Sequence, residues 1–232
     1  MRRFGLYIMV LLLIGQTSCS RYLDVKDKSE VVPKTAEEFS AILHTRLNNI
    51  EQASEYAFFG AYLNTLPFEF YTDNMDANLT ISERDIPEYV GSDINSLSGK
   101  FGSLYEVIKD CNIVLHELKE RDTEFGKKLL ATAYTMRAVC YYNLMRNFCE
   151  PYDKTRAGEQ LGVPLVDKFD MEGKPDRASL KATADFIIHD LKEALKLNQT
   201  DKQYLFYADV TNAYLARTYF WTQEWDLAAS TA

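Results

Sequence analysis

Residues 129–148, LLATAYTMRAVCYYNLMRNF, leave the chain few folds to choose from. Leu130, Tyr134, Ala138, Tyr141, Met145 and Phe148 recur at helical spacing down one face, and Leu129, Ala133, Met136, Cys140 and Leu144 down another. A helix with two apolar faces has to be covered from both sides. Ala131, Ala133, Ala138 and Cys140 are small enough to let neighbours approach closely, which suits stacked helical hairpins. The expected covers are the amphipathic segment 101–118 on one side and 180–197 on the other. Arg137 lies within the apolar pattern, and an arginine there reads as a buried ion-pair partner or a donor to carbonyls, not as a catalytic group.

The chain begins with a different kind of segment. Arg2 and Arg3 precede the apolar run LYIMVLLLIG, too short to serve comfortably as a mature membrane span, so 1–18 read as a cleaved export signal. Thr17 and Ser18 lead into Cys19, a small-residue site ending at a cysteine that a lipid would modify, although Gln16 stands where an aliphatic residue is usual. Residues 19–34 are polar and aperiodic and read as a tether. After export, Cys111, Cys140 and Cys149 remain; an odd count leaves at least one unpaired, and all three read as buried thiols.

Thr35 and Glu38 then form a capping box ahead of a stripe made by Phe39, Ile42, Leu43 and Leu47. An aromatic run at 56–71 and a long polar segment at 72–99 follow. Beyond the central helix, residues 152–178 read as an insertion with a short extended piece, GVPLV, and a loop, GKPDR. Ser179 caps a helix with Leu180, Ala184, Ile187, Leu191 and Ala194 on one face. Leu215, Ala216, Tyr219, Trp225 and Ala228 stand at the spacings of a tetratricopeptide repeat, with Gln223 where that repeat prefers Gly. Segment 190–198 reads as the second helix of an earlier repeat whose first helix is the distant 129–148. The partner helix of the last repeat is expected beyond Ala232, so the domain reads as incomplete there.

Function classes can be narrowed from the same residues. A formal net charge of −8, with no basic cluster after the first few positions, excludes nucleic acid as a partner. No nucleophile elbow, zinc-protease, P-loop or dinucleotide pattern occurs, and we expect no enzyme and no cofactor. Asp185, His189 and Glu193 recur every four residues, which reads as a solvated charged face in preference to a metal site. Asn74, Asp76, Asn78 and Asp85 fit a calcium loop poorly, because Leu79 occupies its Gly position. The aromatic fraction is 13%. Tyr71, Asp73, Asn74, Asp76 and Asn78 together offer a ring for the C–H face of a sugar and short polar groups for its hydroxyls. These five are the candidate ligand residues.

Taken in order, several pieces resemble one family. They are Cys19 with Tyr22-Leu23-Asp24, Leu104-Tyr105 with Ile108 and Cys111-Asn112, and Arg137-Ala138 with Tyr141-Tyr142 and Leu144. Gly162-Val163-Pro164-Leu165, the helix carrying Asp190-Leu191 and the segment 213–228 complete the set. The chain is similar to the N-terminal part of SusD/RagB-family outer-membrane lipoproteins. That resemblance implies a mainly α fold of tetratricopeptide-like helical hairpins with long irregular loops, over 35–232, with hairpins from about 123 onward. It implies a lipid on Cys19 and a place on the outer membrane, exposed at the cell surface. It also implies non-catalytic binding of an oligosaccharide and its delivery to a SusC-like TonB-dependent transporter. The alternatives are a helical-repeat scaffold that binds only protein, and a secreted hydrolase with unrecognised carboxylates.

Overall fold

The computed structural model describes residues 33–51, 98–168 and 173–232. The signal, the tether with Cys19, the aromatic run and the polar segment holding Tyr71, Asp73, Asn74, Asp76 and Asn78 lie outside the described residues. Among the described residues there are six α-helices and one small pair of strands: α1 Ala36–Glu51, α2 Ser98–Glu117, α3 Glu124–Phe148, β1 Leu161–Pro164, β2 Arg177–Ser179, α4 Leu180–Lys196, α5 Ala208–Trp221 and α6 Trp225–Thr231. The fold is mainly α, as the apolar periodicity predicts. None of these helices is long and apolar enough to cross a membrane.

Helix α3 is the axis of the described body. Thr123 caps it by accepting the Gly126 amide at 2.9 Å, so the helix starts five residues before the first residue of the apolar pattern. From Leu129 to Met145 every residue but Tyr134 is buried. Removing that much apolar surface from water stabilises by about 1.5–3 kcal/mol per fully buried large side chain. Both faces are covered as expected, α2 packing on one side and α4 on the other, with α1 and α5 also touching the helix.

The remaining helices form for legible reasons. Thr35 and Glu38 close their capping box, the Thr35 amide reaching the carboxylate at 3.2 Å and the Glu38 amide the hydroxyl at 3.4 Å. Arg46 ties α1 to α2 through Asp110 at 2.9 Å. Ser179 both ends β2 and caps α4, accepting the Ala182 amide at 3.1 Å. Helix α4 buries Leu180, Ala184, Ile187, Leu191 and Ala194, the predicted stripe, together with Thr183 and Asp190.

The extended piece of the insertion is β1, antiparallel to β2 with Leu161 opposite Ser179 and Pro164 opposite Arg177. The sequence reading missed this pairing, because three residues of β2 are too few for a pattern. Gly162 sits where the hairpin crosses the start of α4; a Cβ there would lie 2.6 Å from the Ser179 carbonyl and against the Thr183 hydroxyl.

The last hairpin departs from its repeat spacing in one respect. Leu215, Ala216 and Tyr219 are buried, but Trp225 is 56% exposed and α6 buries no residue. Among the described residues nothing covers that face, so the repeat's aromatic position has only the edge of Phe220 to meet, at 5.2 Å between ring centroids.

Candidate functional site

The segment following β1 is bolted in place by side chains from α2 and α3. Tyr105 donates to the Pro164 carbonyl at 2.7 Å. The Tyr141 hydroxyl accepts the Val166 amide at 2.7 Å and donates back to the Val166 carbonyl at 3.2 Å. Asn112 donates to that same carbonyl at 2.9 Å. His116 Nε2 stands 2.6 Å from the Asp167 carbonyl, and since a carbonyl can only accept, Nε2 carries the proton. Burial lifts the Tyr105 and Tyr141 phenols well above their ordinary range.

Beside this segment lies a buried ion pair. Arg137 donates from Nε to Asp190 Oδ2 at 2.7 Å and from Nη2 to Oδ1 at 2.8 Å. Its Nη1 donates to Asn112 Oδ1 at 2.7 Å and to the Asp167 carbonyl at 3.3 Å. The guanidinium also lies 4.9 Å from the Phe186 ring centroid and 5.8 Å from that of Tyr134. Burial pushes the Asp190 carboxyl up, while the hydrogen bonds and charge of Arg137 pull it down. Burial alone would lower Arg137, but Asp190 raises it, so the guanidinium is charged throughout the physiological range. Arg137 is therefore the ion-pair partner and carbonyl donor the sequence predicts.

Arg137 of this pair lies at the base of a cleft of about 440 Å³, a volume within the range of small-ligand sites. Leu115 and His116 of α2, with Arg121 after it, make one wall; Tyr134 and Arg137 of α3 lie at the base; Phe186 and His189 of α4 and Asp167 complete the rim. Arg121 spends one N–H on the Leu115 carbonyl at 2.5 Å and makes no ion pair among the described residues. The arrangement offers two rings, two imidazoles, two guanidinium groups and one exposed carboxylate. Such a set can bind and orient a polar ligand; among the described residues no three His, Cys, Asp or Glu side chains gather as a metal ion needs.

Comparison with known proteins places the chain. A model of the SusD-like family, described as starch-binding and associating with the outer membrane, matches residues 21–220. The chain belongs to the SusD-like family. Its fold is similar to that of three solved Bacteroides vulgatus proteins. A putative sugar-binding protein is 19% identical, matching 87% of this chain and 46% of that one at a TM-score of 0.61. A SusD-like carbohydrate-binding protein, also 19% identical, matches 86% and 44% at 0.60. A SusD superfamily protein, 21% identical, matches 86% and 47% at 0.59. The chain thus spans less than half the length of these solved structures. No curated protein matches it.

Within this SusD-like body the predicted site residues fare differently. The five candidate ligand residues and Cys19 lie outside the described residues. Asp185 pairs with Lys181 at 2.6 Å and Glu193 with Lys196 at 2.5 Å, so the acids flanking His189 are engaged by lysines as a charged face predicts. His116 and Arg121 escaped the sequence reading, for neither has a sequence neighbour that recruits it; only the fold carries the end of α2 to α4. A second feature is the exposed apolar group at the end of the described chain, Phe220 at 58%, Trp225 at 56%, and Trp221 and Leu227 beside them.

Proposed function

We propose that this SusD-like chain belongs to a non-catalytic cell-surface lipoprotein that captures glycan and hands it to a SusC-like TonB-dependent outer-membrane transporter. The observation that carries this reading is the match of residues 21–220 to a family described as starch-binding and outer-membrane-associated. The names of two of the similar solved proteins, sugar-binding and carbohydrate-binding, support it. So does the ring-and-donor chemistry of the cleft, which is of the kind sugars require. Cys19 would bear the lipid, and Tyr71, Asp73, Asn74, Asp76 and Asn78 would contribute further sugar contacts.

Three measurements test the reading. The protein is expected to bind at least one glycan on an array, to co-purify with a TonB-dependent transporter, and to incorporate labelled palmitate that Cys19→Ala abolishes. Labelling that survives Cys19→Ala removes the anchor; silence on the array removes glycan capture. The scaffold reading is favoured by one observation, the exposed large apolar side chains of Phe220, Trp221 and Trp225, which suit a protein contact. Co-purification of a protein partner without any glycan binding would select it.

A further inference from the structure

We propose that the cleft between α2, α3 and α4 receives an acidic sugar residue, its carboxylate held by Arg121 and His189 and its ring set against Phe186. The inference rests on the glycan-binding reading and sharpens it to a class of glycan. A neutral sugar presents hydroxyls that donate as readily as they accept, and a wall built for it needs both kinds of group in similar measure. In this wall the Asp167 carboxylate, the Tyr134 hydroxyl and one ring nitrogen of each neutral imidazole can accept, but the two guanidinium groups tip the balance of charge toward an anion. Arg121 has given only one N–H to the protein, and His189 makes no hydrogen bond among the described residues. Four of the five N–H groups of Arg137 are used by Asp190, Asn112 and the Asp167 carbonyl, which leaves one.

Among the described residues the only carboxylate lining the cleft is that of Asp167. The charge of Arg137 is answered by Asp190, so Arg121 is the cation left to answer a ligand, and its planar fork matches a carboxylate in two-point contact. The site is also built to hold still. Asp167 is fixed through its backbone by His116 and Arg137, and Phe186 is fixed by stacking on the guanidinium and, edge-on, on Tyr141 at 5.0 Å. Asp167 and Phe186 therefore need little ordering when a ligand binds, which lowers the entropic cost of that part of the contact.

The test is calorimetric titration of the full chain with digalacturonate and with its uncharged dimethyl ester. The acid is expected to bind, and the ester to bind about tenfold more weakly or worse, since one charge-assisted contact of this kind is lost. Arg121→Gln and His189→Gln, both at exposed positions, are each expected to weaken the acid by a similar factor and leave the ester unchanged; thermal unfolding checks that both variants fold. Equal binding of acid and ester, no effect of either variant, or no binding of the acid overturns the proposal. If neutral glycans still bind on the array, it falls alone. If no glycan binds at all, the glycan-binding reading falls with it.

Discussion

Asp190 receives Arg137 side-on, both carboxylate oxygens engaged at 2.7 and 2.8 Å, with the acid fully buried and the arginine 5% exposed. The contact joins α3 and α4, which among the described residues pack most extensively on each other. Removing one partner strands the other charge in a low-dielectric interior. Asp190→Asn and Arg137→Met are each expected to cost about 3–5 kcal/mol of stability. The double variant Arg137→Met/Asp190→Leu is expected to cost much less than their sum. A denaturant double-mutant cycle measures this, and additive costs would show that the pair is not coupled.

This pair also marks how far the sequence could be read. An arginine inside an apolar helix and an aspartate at position 190, between Ile187 and Leu191 on a buried stripe, are two charges that a single core cannot leave apart. The sequence therefore announces Arg137 as an ion-pair partner, although it does not name Asp190. Helices α1 and α4 were legible because each carries a cap and a long period, and α2 and α3 from their apolar periods alone, which is why the start of α3 at the Thr123 cap was missed. The strand pair was not, since β2 is three residues long and register is set by Gly162 meeting Ser179 and Thr183. The cleft was hidden for a different reason. His116, Arg121, Tyr134 and His189 come from three helices and a turn, and no local spacing links them.

Alkaline conditions are expected to unfold the chain through its tyrosines. Burial holds Tyr105 and Tyr141 protonated well past the ordinary phenol value of 10.0, and Tyr214 is shifted in the same direction. Above that pH the unfolded chain loses these protons while the folded chain keeps them. The folded state then binds more protons, so stability falls as pH rises. Their contribution is complete below pH 10 and declines above it. Tyr105→Phe and Tyr141→Phe should each flatten the decline in a pH-dependent denaturation series. An unchanged slope would mean that the phenols ionise freely in the folded chain.

Two glycines are expected to respond in opposite senses to the same substitution. Gly102 lies inside α2, and among the described residues nothing stands within 4 Å of where a Cβ would go, so Gly102→Ala should stabilise by about 0.5–1 kcal/mol through reduced freedom of the unfolded chain. Gly126 lies at the start of α3, where a Cβ would press on the Glu120 backbone, its carbonyl carbon only 2.8 Å away. Backbone cannot rotate aside as a side chain can. Gly126→Ala should therefore destabilise by about 1–3 kcal/mol. Midpoints of urea unfolding for the two variants decide the matter, and a shared direction would contradict it.

The turn between α5 and α6 tests how the repeat spacing is tolerated without its glycine. Gln223 adopts φ 61°, the left-handed region in which a residue with a Cβ is strained by roughly 1–2 kcal/mol. Its side chain compensates by donating from Nε2 to the Tyr152 carbonyl at 3.0 Å, which ties the turn to the insertion, and Lys154 meets Glu224 next door at 2.8 Å. Gln223→Gly relieves the strain but loses that bond, worth about 0.5–1.5 kcal/mol, and gains freedom when unfolded. The terms nearly cancel, and a stability change within about 1 kcal/mol is expected. Gln223→Val loses the bond and deepens the strain, since a β-branched residue is a true outlier at positive φ. It should cost roughly 2 kcal/mol, and because Phe220 and Trp225 flank this turn, it should also alter tryptophan fluorescence before global unfolding. If valine is tolerated as well as glycine, the left-handed turn is not what holds α6 against α5.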